Sequence, residues 1–317
     1  MRKALIGYTG FVGSTLTRTQ TYDNLYNSRN IGTLAGTSHD LVICAAAPAT
    51  MWVANQNPQA DKDNLDRLFA ALQQARVGHM VLISTIAVFD NAAAGYTETH
   101  AAYETEKPYG QHRRELEEKI AAHFPQSHIL RLPALFGPGL KKNFVFDLIN
   151  PAPSFLKPEV WESTLAGLAP ADAALLRGYY ALDAGLNMWG LDRARLNASA
   201  DRAALAAVFE GIGLVSRNFT NSASHFQYYR MERLAGDIER VIEAGLDVLN
   251  VCSEPIEAAE ICAALTGSRF DNSGPPLVME DLRSNHAALF GGSGPYLFDR
   301  DSVLADLKAF YDAELAA

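Results

Sequence analysis

The sequence contains few of the residues that disulfide bonding or metal binding would require. Only three of its 317 residues are cysteines, namely Cys44, Cys252 and Cys262, and none of them belongs to a CxxC pair. The eight histidines are scattered and show no HxxH or HxxxH spacing. We therefore expect reduced, buried thiols in a cytoplasmic protein, and no metal site.

Long apolar runs and an excess of basic residues are also missing. No apolar stretch approaches the ~20 residues that a membrane helix needs. The run that follows Arg2 and Lys3 is interrupted at Gly7 and Gly10, before it reaches the length of a signal-peptide core. The formal net charge is -9, and nucleic acids and anionic membranes both attract basic surfaces. We expect a small-molecule partner, and neither nucleic acid nor membrane.

Short apolar runs alternate with amphipathic segments through the first half of the chain. The pattern predicts strands that are listed here by number: 4–8, 25–26, 40–45, 80–84 and 127–132. It predicts helices at 11–20, 61–74 and 110–124. Strands that alternate with helices indicate a parallel sheet with right-handed crossovers. We therefore predict an α/β fold, a Rossmann-type doubly wound parallel sheet.

The pattern changes after Gly137-Pro138-Gly139. Residues 150–223 show no clear strand rhythm and are predicted to be mostly helical, whereas strand and helix patterns return between 225 and 251. We predict a dinucleotide-binding domain formed by 1–139 together with about 224–253. A smaller, mostly helical substrate lobe would comprise about 140–223 together with 254–317.

A glycine loop follows the first predicted strand and opens the first helix. It reads Gly7-Tyr8-Thr9-Gly10-Phe11-Val12-Gly13. In such a loop the first glycine permits a tight turn, the second lets the backbone approach a pyrophosphate, and the third allows close packing of helix on strand. The helix N-terminus offers free N–H groups to the phosphates. We expect Gly7, Thr9, Gly10, Phe11, Val12 and Gly13 to bind a dinucleotide.

The residues after the second predicted strand indicate which dinucleotide is bound. An NAD site commonly has an acidic residue about 20 positions after the glycine loop, but here the chain reads Asn27-Ser28-Arg29. An arginine and a serine favour the 2′-phosphate that an acidic residue would repel. We therefore predict NADP as the cofactor, with NAD second, although a plain polar turn would have the same sequence.

Several motifs together resemble a known family. They are the glycine loop, Val42 to Ala46, Ser84 to Asp90, Tyr96 to Thr99, Pro108-Tyr109-Gly110 and Leu130 to Gly139. The chain is similar along most of its length to the extended short-chain dehydrogenase/reductases, which include nucleotide-sugar epimerases, dehydratases and reductases. The resemblance implies further cofactor contacts at Ala45, Ala46, Ser84, Tyr109, Arg113, Pro133 and Leu135.

In that family a tyrosine moves the proton, and a cation four positions later on the same helical face favours its phenolate. Two tyrosines compete here. Tyr103 and Lys107 form a YxxxK pattern, whereas Tyr109 has Arg113 in the lysine position. Pro108 blocks a helix that would start at Tyr103, so we predict Tyr109 and Arg113 as catalytic residues. Thr85 would polarise the substrate oxygen.

Two departures from the family pattern affect the predicted chemistry. Arg113 keeps the positive charge of the lysine but is bulkier and cannot lose its proton. Ala134 stands where the family has an asparagine, which weakens the case for a nucleotide-sugar substrate. Lys141, Lys142 and Asn143 lie where relatives bind substrate phosphates, although a solvated loop explains them equally well.

We predict an NADP-dependent oxidoreductase or epimerase that acts by hydride transfer on a sugar-like substrate, with a nucleotide-sugar as the favoured candidate. The alternative is a catalytically degenerate NAD(P)-binding sensor or scaffold, which the departures at Arg113 and Ala134 favour. A homodimer is one candidate assembly.

Overall fold

The computed structural model describes residues 1–316 and divides the chain into two compact units. The first, called the sheet unit, comprises Met1–Leu140, His225–Glu257 and Val278–Ala313. The smaller unit comprises Lys141–Ser224, Ala258–Leu277 and the chain from Glu314 onward. The segment from Val278 to Ala313, which we had placed in the second lobe, therefore lies in the sheet unit.

Contacts with two buried residues of the sheet unit explain where that segment lies. The backbone N–H of Leu282 donates to Oε1 of Gln227 at 2.8 Å. Phe298 forms an isolated parallel bridge with Ser253. Gln227 and Ser253 are fully buried, so these contacts join the segment to the interior of the sheet unit.

The strands are short and occur throughout the chain. In chain order they are β1 (Lys3–Ile6), β2 (Asn24–Tyr26), β3 (Ser38–Cys44), β4 (Arg76–Thr85), β5 (Ser127–Leu132), β6 (Ala134–Phe136), β7 (Phe155–Leu156), β8 (Tyr180–Asp183), β9 (Met188–Leu191), β10 (His225–Phe226), β11 (Tyr228–Arg230), β12 (Val248–Asn250) and β13 (Ile256–Glu257).

The helices alternate with these strands in the first half of the chain. They are α1 (Phe11–Thr19), α2 (Met51–Gln56), α3 (Pro58–Leu72), α4 (Pro108–His123), α5 (Phe144–Ile149), α6 (Pro158–Gly167), α7 (Pro170–Tyr179), α8 (Arg193–Asn197), α9 (Arg202–Gly211), α10 (Leu234–Glu243), α11 (Ala258–Thr266) and α12 (Arg300–Ala316). Among residues 1–316, no helix combines the length and the apolar character needed to cross a membrane.

Six strands form the central sheet, in the order β2-β1-β3-β4-β5-β12, and all neighbours are parallel. The strands are apolar on both faces, as expected for a sheet that helices cover on both sides. Ala4, Leu5 and Ile6 of β1, for example, are at most 1% exposed. The predicted Rossmann-type sheet is confirmed.

The strand order determines where a ligand site can form. In the strand order, β2 lies on one side of β1, whereas β4 lies beyond β3 on the other side. Right-handed crossovers in these two opposite directions place α1 and α3 on opposite faces of the sheet. Helices α2, α3 and α4 pack against one another, and α1 packs against α10. The strand order reverses between β1 and β3, and ligands bind at the carboxyl edge of the sheet near such a reversal.

The smaller unit contains more strand than we predicted. Strands β7, β9 and β8 form an antiparallel sheet within residues 150–223. They are only two to four residues long, too short to give a clear alternation in the sequence. Helices supply most of this unit's apolar core, in which Trp161 stacks on Trp189 with ring centroids 4.4 Å apart.

Candidate functional site

The glycine loop connects β1 to α1 at the carboxyl edge of the sheet. Gly7 has a φ of +87°, and a Cβ atom there would lie 2.5 Å from the carbonyl oxygen of Ala45. A Cβ atom on Gly13 would lie 2.1 Å from the carbonyl oxygen of Gly7. These two glycines are therefore required by the tight turn and by the close packing of α1 on β1.

Gly10 has a different environment from the other two glycines. A Cβ atom there would meet only the carbonyl oxygen of Gly7, at 3.4 Å. Gly10 also precedes α1 as its N-cap and makes no side-chain capping bond. The loop therefore has the open face and the uncapped helix N-terminus that a pyrophosphate needs, so its residues fit a dinucleotide.

The three predicted specificity residues follow β2 directly. Nδ2 of Asn27 donates to the hydroxyl of Tyr8 at 3.1 Å, and the backbone N–H of Arg29 donates to Oδ1 of Asn27 at 2.9 Å. Asn27 thus orders the turn against the glycine loop. Ser28 and Arg29 are exposed, so their side chains are accessible to a phosphate group at this edge.

Most of the remaining predicted cofactor residues also lie at the carboxyl edge. Ala45 and Ala46 follow β3, Pro133 follows β5, and Leu135 lies in β6. Ser84 lies at the end of β4, but its hydroxyl donates to Oε1 of Glu117 at 2.6 Å. Its side chain is therefore held by a buried carboxylate.

Tyr109 and Thr85 are brought together where α4 begins. The side chain of Thr85, the last residue of β4, lies close enough to the Tyr109 hydroxyl to lower its pKa. Two neighbours fix this approach. The backbone N–H of Tyr109 donates to Oδ1 of Asn55 at 2.9 Å, and a Cβ atom on Gly110 would lie 2.1 Å from the carbonyl oxygen of Ala87. The Tyr-Gly pair therefore lets α4 start against the end of β4.

Arg113 lies one helical turn after Tyr109, with its Cζ atom 3.9 Å from the centroid of the Tyr109 ring. Its Nη1 atom donates to Oδ2 of Asp61 at 2.5 Å and its Nη2 atom to Oδ1 of Asp61 at 2.8 Å. Nη2 also donates to the carbonyl oxygen of Pro48 at 2.6 Å. Both terminal nitrogens of the predicted catalytic cation are thus bound by other groups of the protein.

The surroundings of Tyr109 favour its protonated form. Burial raises the pKa of Tyr109, and this effect exceeds the lowering caused by the Arg113 cation and the Thr85 side chain, while the Asp61 anion raises the pKa further. Tyr109 is 6% exposed. Its hydroxyl therefore carries a proton throughout the neutral range.

The competing pair, Tyr103 and Lys107, does not lie on a helix. Helix α4 begins at Pro108, as the position of that proline predicted. The Tyr103 ring stacks on Phe89 with centroids 5.8 Å apart, and the guanidinium of Arg114 lies 3.9 Å above it. Lys107 pairs with Glu104 at 3.5 Å. Tyr103 and Lys107 therefore have separate partners.

Two acidic residues near these groups were not anticipated from the sequence. Asp61 holds Arg113, and Glu117 accepts hydrogen bonds from Ser84, Arg114 and Arg131. Asp61 precedes Leu65 by four residues on the apolar face of α3, where an acidic side chain is unusual. That position was a signal that it has a buried partner. The partner itself could not be read from the sequence.

The predicted substrate residues Lys141, Lys142 and Asn143 belong to the smaller unit. Lys141 and Lys142 are exposed. Oδ1 of Asn143 accepts a hydrogen bond from the backbone N–H of Phe146 at 3.1 Å and caps α5, with a φ of 127°. This capping role accounts for an asparagine at this position.

Comparisons with known proteins agree with this geometry. Residues 4–160 match the family model described as the RmlD substrate binding domain. No curated protein matches the chain. Together with the fold, this match agrees with the resemblance of the chain to the extended short-chain dehydrogenase/reductases.

Solved structures of low sequence identity share the fold. RMD from Pseudomonas aeruginosa, complexed with NADPH, is 16% identical with a TM-score of 0.62, covering 100% of this chain and 99% of that one. A dTDP-4-dehydrorhamnose reductase from Clostridium acetobutylicum is 16% identical with a TM-score of 0.60, covering 99% of each chain. A UDP-N-acetylglucosamine 4-epimerase from Methanobrevibacter ruminantium is 13% identical with a TM-score of 0.59, covering 98% of this chain and 97% of that one.

Proposed function

We propose that this protein is an NADP-dependent oxidoreductase that acts on a sugar carried by a nucleotide. The observation that carries the proposal is the approach of Tyr109, at the start of α4, to Thr85, the last residue of β4, at the carboxyl edge of the sheet. The glycine loop lies at that edge in the same unit. A proton-transferring hydroxyl and a dinucleotide loop together are what hydride transfer to a carbonyl requires.

The roles of the residues follow from their contacts. Gly7 and Gly13 shape the loop, Gly10 leaves room for the pyrophosphate, and Arg29 would face the 2′-phosphate of NADP. When bound, the reduced cofactor supplies hydride to a carbonyl carbon and is itself oxidised. Tyr109 gives its phenolic proton to the carbonyl oxygen, which becomes a hydroxyl, and the Thr85 hydroxyl beside Tyr109 would polarise that oxygen.

The substrate class rests on similarity and is supported by two kinds of relative. Neighbours of the same fold include a dTDP-4-dehydrorhamnose reductase and an epimerase in complex with UDP-N-acetylmuramic acid. We infer a pyrophosphate-linked sugar for this protein, with Lys141 and Lys142 as candidate phosphate contacts in the smaller unit. The Asn143 side chain caps α5 and would contribute through its backbone.

A protein that binds NADP without turnover is the second candidate, because both terminal nitrogens of Arg113 are held by Asp61 and Pro48. Transfer of an isotope label from the cofactor to a substrate distinguishes an oxidoreductase from a protein that only binds NADP. Purified protein with deuterated NADPH and a panel of nucleotide-linked keto-sugars, including dTDP-4-dehydrorhamnose, should yield a deuterated sugar alcohol. Cofactor binding without label transfer to any keto-sugar would support the non-catalytic alternative and contradict the proposed activity.

A further inference from the structure

Asp61 determines the position of the Arg113 guanidinium and its electrostatic effect on Tyr109. Its carboxylate receives three hydrogen bonds, two from Arg113 and one from Nδ1 of His112 at 2.8 Å. The side chains of Asp61 and Arg113 are 5% and 3% exposed. Two hydrogen bonds in parallel fix both the position and the plane of a guanidinium group. Asp61 therefore holds Arg113 in its position over the Tyr109 ring.

The same contact also changes the electrostatic effect of Arg113. A lone cation next to a phenol favours the phenolate, but a cation paired with an anion presents a much weaker field. Burial alone would raise the pKa of Asp61, yet its hydrogen bonds with Arg113 and His112 bring that pKa below the ordinary value. Asp61 is therefore ionised at neutral pH and offsets the charge of Arg113.

Other charged groups near α4 have partners of their own. On α3, Lys62 pairs with Glu115 and Asp66 pairs with Lys119. Helix α2 carries no charged residue, and at the end of β5 Arg131 pairs with Glu117. In the loop before α4, Glu104 pairs with Lys107. Arg113 is thus the charged group that acts most directly on Tyr109, and Asp61 is the charged group that holds it.

We propose that Asp61 is a positioning residue that keeps Tyr109 in its proton-donating form, by fixing the Arg113 guanidinium and neutralising its charge. This inference rests on the proposed function and gives it a direction. A protonated phenol can donate to the oxygen of a carbonyl as it is reduced, whereas withdrawal of a proton from an alcohol needs the phenolate. The site is therefore set for carbonyl reduction at neutral pH.

The experiment is a titration of Tyr109 in the full-length protein. Carbon NMR of labelled tyrosine rings follows the phenol, and matched Tyr109→Phe variants identify its signal among the twelve tyrosines. Asp61→Asn should lower the pKa of Tyr109 by roughly one unit or more, which is a tenfold larger phenolate fraction. Asp61→Glu should leave that pKa within a few tenths of the parent value because it keeps the carboxylate. No substrate is needed, so failure of the proposed function would not affect this readout.

Asp66→Asn is the matched control. Asp66 lies on the same helix and also pairs with a cation of α4, Lys119, but its side chain is 44% exposed. This substitution should leave the titration of Tyr109 unchanged. An unchanged pKa of Tyr109 in folded Asp61→Asn would overturn the proposal, as would an equal shift in the control.

A second pair of variants covers the case in which Asp61→Asn does not fold. Arg113→Lys and the double variant Asp61→Asn/Arg113→Lys both place an ammonium group near Tyr109. An ammonium has three hydrogen-bond donors to satisfy, whereas the guanidinium of Arg113 has five. Tyr109 should titrate at lower pH in the double variant than in Arg113→Lys. Equal pKa values in the two proteins would refute a role for Asp61. With a substrate at hand, the alkaline limit of the reduction rate should move down in parallel, since proton donation is lost once pH exceeds the pKa of Tyr109.

Discussion

The substitution Tyr109→Phe tests the proposed proton transfer most directly. Tyr109 is 6% exposed and its hydroxyl lies near the Thr85 side chain. Phenylalanine fills the same space, so the loss of stability should not exceed that of one hydrogen bond, about 1 kcal/mol. Out of a typical stability of roughly 5–15 kcal/mol, this loss leaves almost all of the protein folded.

The effect on the rate should be much larger than the effect on stability. Loss of a general acid costs on the order of 10²- to 10⁴-fold in rate, which is about 3–5 kcal/mol of barrier. Tyr109→Phe should therefore lose most turnover of a keto-sugar, measured by the absorbance of reduced nicotinamide, while it binds NADPH as the parent does. Since unfolding cannot account for a loss of this size, such a result would identify the hydroxyl as the proton donor.

Tyr103→Phe is the matched control. Its ring would stay between Phe89 and the Arg114 guanidinium, and only the contact of its hydroxyl with Arg131 would be lost. Turnover should stay within a few-fold of the parent. The reverse pattern would show that Tyr103 with Lys107 is the true pair, and full activity in both variants would remove tyrosine from the mechanism.

Three further changes test the cofactor site and the buried charges. Arg29→Ala should weaken binding of NADPH and leave binding of NADH nearly unchanged in calorimetric titrations, and equal affinity of the parent for both would refute the predicted preference. Gly10→Val should prevent dinucleotide binding in a protein with a parent-like circular dichroism spectrum. Gly13→Val should instead disturb the fold, because its Cβ atom would lie 2.1 Å from a carbonyl oxygen. Unchanged dinucleotide affinity in Gly10→Val would show that the loop has only a structural role. Glu117→Gln leaves the 1% exposed Arg131 without its charge partner and should cost about 3 kcal/mol in urea unfolding, so a loss below ~1 kcal/mol would show that the pair is not needed.

The sequence identified those parts of the site that depend on residues close together in the chain. Gly7, Gly10 and Gly13 belong to one turn, and only the turn's own backbone is needed to see why glycine is required there. Pro108 marks the start of α4 because proline fits the first turn of a helix and disfavours a helix across it. That local rule was enough to predict that Tyr109 lies at the start of the helix and Tyr103 outside it.

The tertiary structure decided the partners of the buried charges. Arg113 and Asp61 are 52 residues apart, and they meet because the crossover between β3 and β4 packs α3 against α4. The short strands of the smaller unit and the placement of Val278–Ala313 in the sheet unit also depended on distant contacts. Sequence periodicity records which face of an element is buried, but not which residue of another element lies opposite. The charge that Tyr109 experiences is therefore a property of the folded protein, while the presence of Tyr109 at the start of a helix follows from its neighbours in the chain.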